Sequence, residues 1–129
     1  MYCLDTSVVI AIFRDDKGIA KKISTIDPDK IFFTDITLCE LFKGAYKSQR
    51  KEESLRLVYD FVNNFKLLGL TIESCEIFGK DFNALARIGK PTQEFDLIIS
   101  CIAKENDLTL VTRNKKDFEN IPDLKLEGW

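Results

Sequence analysis

Short apolar runs that recur between amphipathic segments constrain this chain more than any other feature. Tyr2-Cys3-Leu4, Ile31-Phe32-Phe33, Leu67 to Thr71 and Leu108 to Val111 each read as a strand, and Leu124 to Leu126 as a weak fifth. The intervening segments carry helical signals. Thr6 or Ser7 is positioned to cap a helix from Val8 to Phe13, a second helix covers Ile19 to Ile26, and Asp35 is positioned to cap a third from Ile36 to about Tyr46. Leu55, Val58, Val62 and Phe65 recur at spacings of three and four within Arg50 to Asn64, a stripe that belongs to the core. Cys75, Phe78, Phe82 and Leu85 mark a fifth helix that Gly89 and Pro91 end, and Phe95 to Glu105 reads as a buried sixth. Strands separated by helices in this order require an α/β layer structure with a mostly parallel sheet. In such sheets ligands gather beyond the carboxyl ends of the strands.

The 129 residues form one domain spanning 1–129, with 45% hydrophobic residues and ten phenylalanines to fill a single core. No apolar run is long enough to cross a bilayer and no leader segment precedes the first strand, so a soluble, cytoplasmic protein without membrane contact is expected. Cys3, Cys39, Cys75 and Cys101 are widely spaced beside apolar residues and form no CxxC pair, which reads as buried reduced thiols. A formal charge of −2 leaves the question of a polyanionic partner to local clusters.

The chain contains no histidine, and its chemistry therefore falls to acids. Asp5, Glu40, Asp96 and Asp117 lie in or beside strongly apolar stretches, where a carboxylate must be hydrogen-bonded, paired, protonated or metal-bound. Asp5 follows the first strand and Asp117 lies in the loop after the fourth. Asp96 is the only charge between Phe95 and Ala103, although a first-turn position near the helix dipole accounts for part of that. Glu40 falls off the apolar face of its helix, beside Thr37 and Gly44, which reads first as a solvated glutamate and second as one with room beside it for an ion or a phosphate. Without histidine, a His-activated serine or cysteine is excluded. Carboxylate oxygens suit Mg²⁺ or Mn²⁺, and such ions lower the pKa of bound water and stabilise charge on a phosphoryl group. Phosphodiester hydrolysis fits this set best.

Leu4-Asp5-Thr6-Ser7, Glu40-Leu41-x-x-Gly44, Asp96-x-x-Ile99 and Leu110-Val111-Thr112-Arg113-Asn114-x-x-Asp117-Phe118 occur in an order that resembles the PIN-domain ribonucleases, and within them the VapC-like toxins of toxin–antitoxin pairs. The resemblance covers nearly the whole chain. It implies a three-layer α/β/α sandwich with a four- to five-stranded, mostly parallel sheet. Asp5, Glu40, Asp96 and Asp117 would form the acidic quartet that holds Mg²⁺ or Mn²⁺, and Thr6, Ser7, Thr112 and Asn114 would orient ligands or water. It further implies endonucleolytic cleavage of RNA, a cognate antitoxin partner and a homodimer.

An acidic pocket repels RNA unless its rim is basic. Lys43 follows Glu40, while Arg113, Lys115 and Lys116 flank Asp117, and these are the expected RNA contacts. Three other readings compete. A haloacid-dehalogenase-like phosphatase would use Asp5 as nucleophile but expects an aspartate where Ser7 stands. A phospho-acceptor receiver domain shares the acidic pocket and lacks most of its other marks here. A PIN fold that only binds is the third.

Overall fold

The computed structural model describes residues 1–129. Five strands, β1 (Tyr2–Leu4), β2 (Ile31–Thr34), β3 (Lys66–Leu68), β4 (Thr109–Thr112) and β5 (Leu126–Gly128), alternate with six helices, α1 (Thr6–Phe13), α2 (Lys17–Ser24), α3 (Asp35–Lys47), α4 (Lys51–Asn64), α5 (Ile72–Arg87) and α6 (Glu94–Glu105). The strand order is β3-β2-β1-β4-β5 and every pairing is parallel. No helix is long and apolar enough to cross a membrane.

Neighbouring strand residues feed opposite layers, as the pleat requires. Leu4, Ile31, Phe33 and Val111 pack with α1 to α4, whereas Cys3 and Leu110 pack with α5 and α6. The result is the expected three-layer sandwich. The stripe on α4 joins the first layer, with Val58 buried and Leu55, Val62 and Phe65 packed against the core; Leu57 and Tyr59 on the same helix remain exposed.

Several boundaries differ from those read in the sequence, and side-chain capping explains most of them. The second helix begins at Lys17 because Asp16 accepts hydrogen bonds from the amides of Gly18 and Ile19. Thr34, and not Asp35, caps α3 through the amide of Thr37. The third strand stops at Leu68 because Thr71 and Ser74 form a reciprocal capping box that starts α5. The fifth strand is displaced to Leu126–Gly128. All four cysteines are free, but only Cys3 and Cys101 are buried; Cys39 and Cys75 are exposed, on helix faces that turn from the core. Burial pushes both buried thiols up to about 12, which keeps them protonated and unreactive.

A buried ion pair locks α5 to α6: the ammonium of Lys104 donates to Asp81 at 2.7 Å, with the Asp81 side chain only 3% exposed.

Candidate active site

The sheet reverses its direction of growth at β1. Strands β2 and β3 were added on one side and β4 and β5 on the other, so the crevice at the carboxyl ends of β1 and β4 is the point at which such sheets bind ligands. Asp5 follows β1 and Thr112 ends β4, and the reversal sets them side by side.

Asp5 is 5% exposed and occupies the position immediately before α1. An aspartate at that position ordinarily caps its helix, yet this side chain accepts no bond from the amides of α1. It turns instead to β4, where Oδ2 accepts from the hydroxyl of Thr112 at 2.8 Å and from that of Ser7 at 2.9 Å. Thr6 and Ser7 therefore do not cap α1. The Ser7 hydroxyl also accepts from the amide of Arg113 at 3.1 Å, and the Thr112 hydroxyl from the amide of Asn114 at 3.0 Å. These bonds tie the loop after β4 to the loop after β1 and hold the Asp5 carboxylate in one orientation.

Glu40 is likewise held. The polar face of α3 turns toward α1, where the hydroxyl of Thr6 lies 2.8 Å from Glu40 Oε1 and 3.1 Å from the hydroxyl of buried Thr37. Glu40 is thus a half-buried, hydrogen-bonded carboxylate and not a solvated one. A groove of about 370 Å³ opens beside it, lined by Ile10, Phe13, Leu57 and Val58 with Arg14.

Asp96 lies in the first turn of α6, where Gln93 caps the helix by accepting from the Asp96 amide at 3.0 Å. Its carboxyl is raised to about 6, first by burial and then by the charges of Asp5, Asp117 and Glu40. Asp5 follows β1 and Asp117 follows β4, so both lie at the carboxyl edge of the sheet, and their charges with that of Glu40 act on Asp96. Asp117 is exposed, in a 3₁₀ turn (Lys115–Asp117) after β4. No three of these carboxylates are gathered closely enough to enclose an ion as they stand. Mutual repulsion favours that separation, and the same repulsion is what a cation would relieve.

The basic residues divide. Lys43 and Lys116 are exposed and free of ion pairs, and Lys115 lays its alkyl stem against Gly128. Arg113 is engaged: its guanidinium donates to Asp16 at 2.7 Å. Asp16 was not evident as a site residue, although an acid two residues before Gly18 is a capping signal. The Asn114 side chain makes no hydrogen bond, so its contribution here is through its amide.

Replacing Thr112 by valine keeps the shape and removes the donor to Asp5 and the acceptor for Asn114. Urea denaturation is expected to show a loss of about 1–3 kcal/mol, with Thr112→Ser close to wild type. Equal loss in both variants would mean that packing of the methyl group, and not the hydroxyl, matters.

Comparison with known proteins agrees with this architecture. The PIN domain family matches residues 2–124. The chain is 34% identical to Ribonuclease VapC1 of Haemophilus influenzae (strain R2866), over all of this chain and 98% of that protein, and 30% identical to the tRNA(fMet)-specific endonuclease VapC of Shigella flexneri, over 99% and 97%. Among solved structures, VapBC-1 from nontypeable Haemophilus influenzae superposes with a TM-score of 0.90 at 35% identity, covering 99% of this chain and 97% of that one. Four acids at the carboxyl edge of a parallel β3-β2-β1-β4-β5 sheet, and full-length similarity to these ribonucleases, lead to one conclusion: the chain belongs to the PIN-domain family, among the VapC ribonucleases.

Proposed function

We propose that the protein is a divalent-metal-dependent endoribonuclease, the toxin of a toxin–antitoxin pair, acting through Asp5, Glu40, Asp96 and Asp117. The observation that carries the reading is the buried Asp5 carboxylate at the end of β1, turned away from its helix cap and oriented by the hydroxyls of Thr112 and Ser7. The donor set is all oxygen, which fits Mg²⁺ or Mn²⁺ and not zinc or copper. Asp5 and Asp96 are the principal ligands in this reading, with Glu40 and Asp117 completing the set. When bound, the ion supplies a water of lowered pKa and charge stabilisation at the scissile phosphate.

The surrounding residues have separable tasks. Thr112 and Ser7 direct the Asp5 carboxylate and prevent its retreat into the helix cap. Thr6 fixes Glu40. Lys43, Lys115 and Lys116 supply positive charge at the rim for the phosphates of RNA. A phosphatase acting through Asp5 is not favoured, because the residue two places on is Ser7, a hydroxyl committed as a donor to Asp5, and no acid stands there.

VapBC denotes a family of toxin–antitoxin systems, which supports an antitoxin as partner here. A second copy of the chain is the other proposed partner, for which exposed Ile72 and Phe82 on α5 and Ile88 just after it offer apolar surface.

Incubation of the purified protein with single-stranded RNA tests the reading. Internal cleavage is expected with added Mg²⁺ or Mn²⁺, is lost with excess EDTA and returns when the ion is restored. Cleavage that persists undiminished in EDTA would remove the metal from the mechanism.

A further inference from the structure

A second feature of the surface adjoins the acidic edge and is not explained by it. A groove of about 430 Å³ runs between α2 and the C-terminal residue, lined by Asp16, Ile19, Lys21, Lys22, Arg113 and Trp129 among others. Of its charged side chains, Lys21, Lys22 and Arg113 are cations and Asp16 is the one anion. The anion, Asp16, is already committed to Arg113 and to capping α2. Lys21 and Lys22 make no ion pair; the Lys22 ammonium sits 5.2 Å above the ring of Trp129 instead.

The groove is built, and it is wired to the acids. Trp129 is fixed by its amide, which donates to the carbonyl of Thr112 at 3.0 Å, by its indole N–H, which donates to Glu127, and by Tyr2, whose ring centroid lies 5.3 Å away. Arg113 links the two regions, since its guanidinium lies in the groove while its amide donates to Ser7, itself bonded to Asp5.

We infer that this groove is a phosphate-binding track for single-stranded RNA, carrying the strand away from the acidic edge on Lys21 and Lys22 beside Trp129. The inference rests on the endoribonuclease reading for the identity of the polyanion. Charge complementarity selects the occupant: a strand repelled by four clustered carboxylates needs cations at the first place it leaves them, and unpaired lysines on a shaped surface meet that need without encoding a base sequence.

Fluorescence anisotropy of a labelled mixed-sequence oligoribonucleotide of about 12 nucleotides, titrated with full-length protein in EDTA at several salt concentrations, separates the two ideas. Lys21→Gln with Lys22→Gln is expected to weaken binding roughly tenfold and to lower the slope of log affinity against log salt by about 1.4, the share of two phosphate contacts on a single strand. Lys80→Gln with Lys90→Gln, which removes the same charge from α5 and the loop after it, should leave both near wild type. Absence of RNA binding by the wild type, or an equal effect of the two pairs, overturns the track. So does unchanged binding in the α2 variant, the result expected if these lysines serve an acidic protein instead. If binding falls as expected but the wild type cleaves no RNA when Mg²⁺ is added, the track stands and the nuclease reading fails.

Discussion

Asp96→Asn is expected to abolish RNA cleavage and, in the absence of divalent ions, to make the protein more stable near neutral pH. Both effects come from one cause. Three other acids and partial burial disfavour the charged form of Asp96, so its carboxyl stands at about 6 and the fold holds that proton more tightly than the unfolded chain does. The stability contributed by this proton is fully present below the unfolded aspartate value of about 3.9 and is lost as pH rises through about 6. A shift of roughly two units corresponds to about 2.7 kcal/mol, which solvent screening at a half-buried site reduces to about 1–2 kcal/mol. Asparagine is neutral throughout and escapes that loss. Denaturation in EDTA should therefore show wild-type stability falling between pH 4 and 7 from this group, with a flatter profile and a higher midpoint at pH 7 for the variant. A variant that loses stability along with activity would show that Asp96 serves the fold and not the site.

Asp81→Ala should cost far more, about 3–5 kcal/mol, because it leaves the Lys104 ammonium nearly enclosed between α5 and α6 with no counter-charge. Against a typical domain stability of about 5–15 kcal/mol, that loss unfolds a large share of molecules at modest temperature. Replacing both partners, with Asp81→Leu and Lys104→Met, removes the stranded charge and should recover most of the difference in chemical denaturation. Cleavage per folded molecule should stay near wild type in each, since the pair does not touch the acids. If the double replacement is as damaging as the single one, the helices depend on the pair itself.

The contrast between these acids shows what can be read from a sequence. Asp96 stood out because a helix buried on nearly every side tolerates one charge poorly. Asp81 did not, because Lys80 beside it disguises its burial and its partner lies 23 residues away. Glu40 was ambiguous on a helical wheel, which gives a direction but not what lies in that direction; Thr6, 34 residues earlier, resolves it. Strand positions followed from apolar runs, while strand and helix ends moved by a few residues wherever a hydroxyl or carboxylate chose a different amide, as at Thr34, Thr71 and Asp16. Cys39 and Cys75 misled because apolar sequence neighbours on a helix point elsewhere. The quartet itself was legible through its motifs, and its assembly depends on a sheet order that no local pattern encodes.

That sheet order also bears on the order in which the site forms. The hydrogen bond that aims Asp5 joins residues 107 positions apart, and β1 pairs with β4 across that whole separation. Contacts of such sequence separation form late and slow the folding of parallel sheets. Until that pairing forms, the Asp5 carboxylate lacks the partner that orients it. The acidic edge is therefore completed only when β4 has docked beside β1, a step that local structure alone cannot supply.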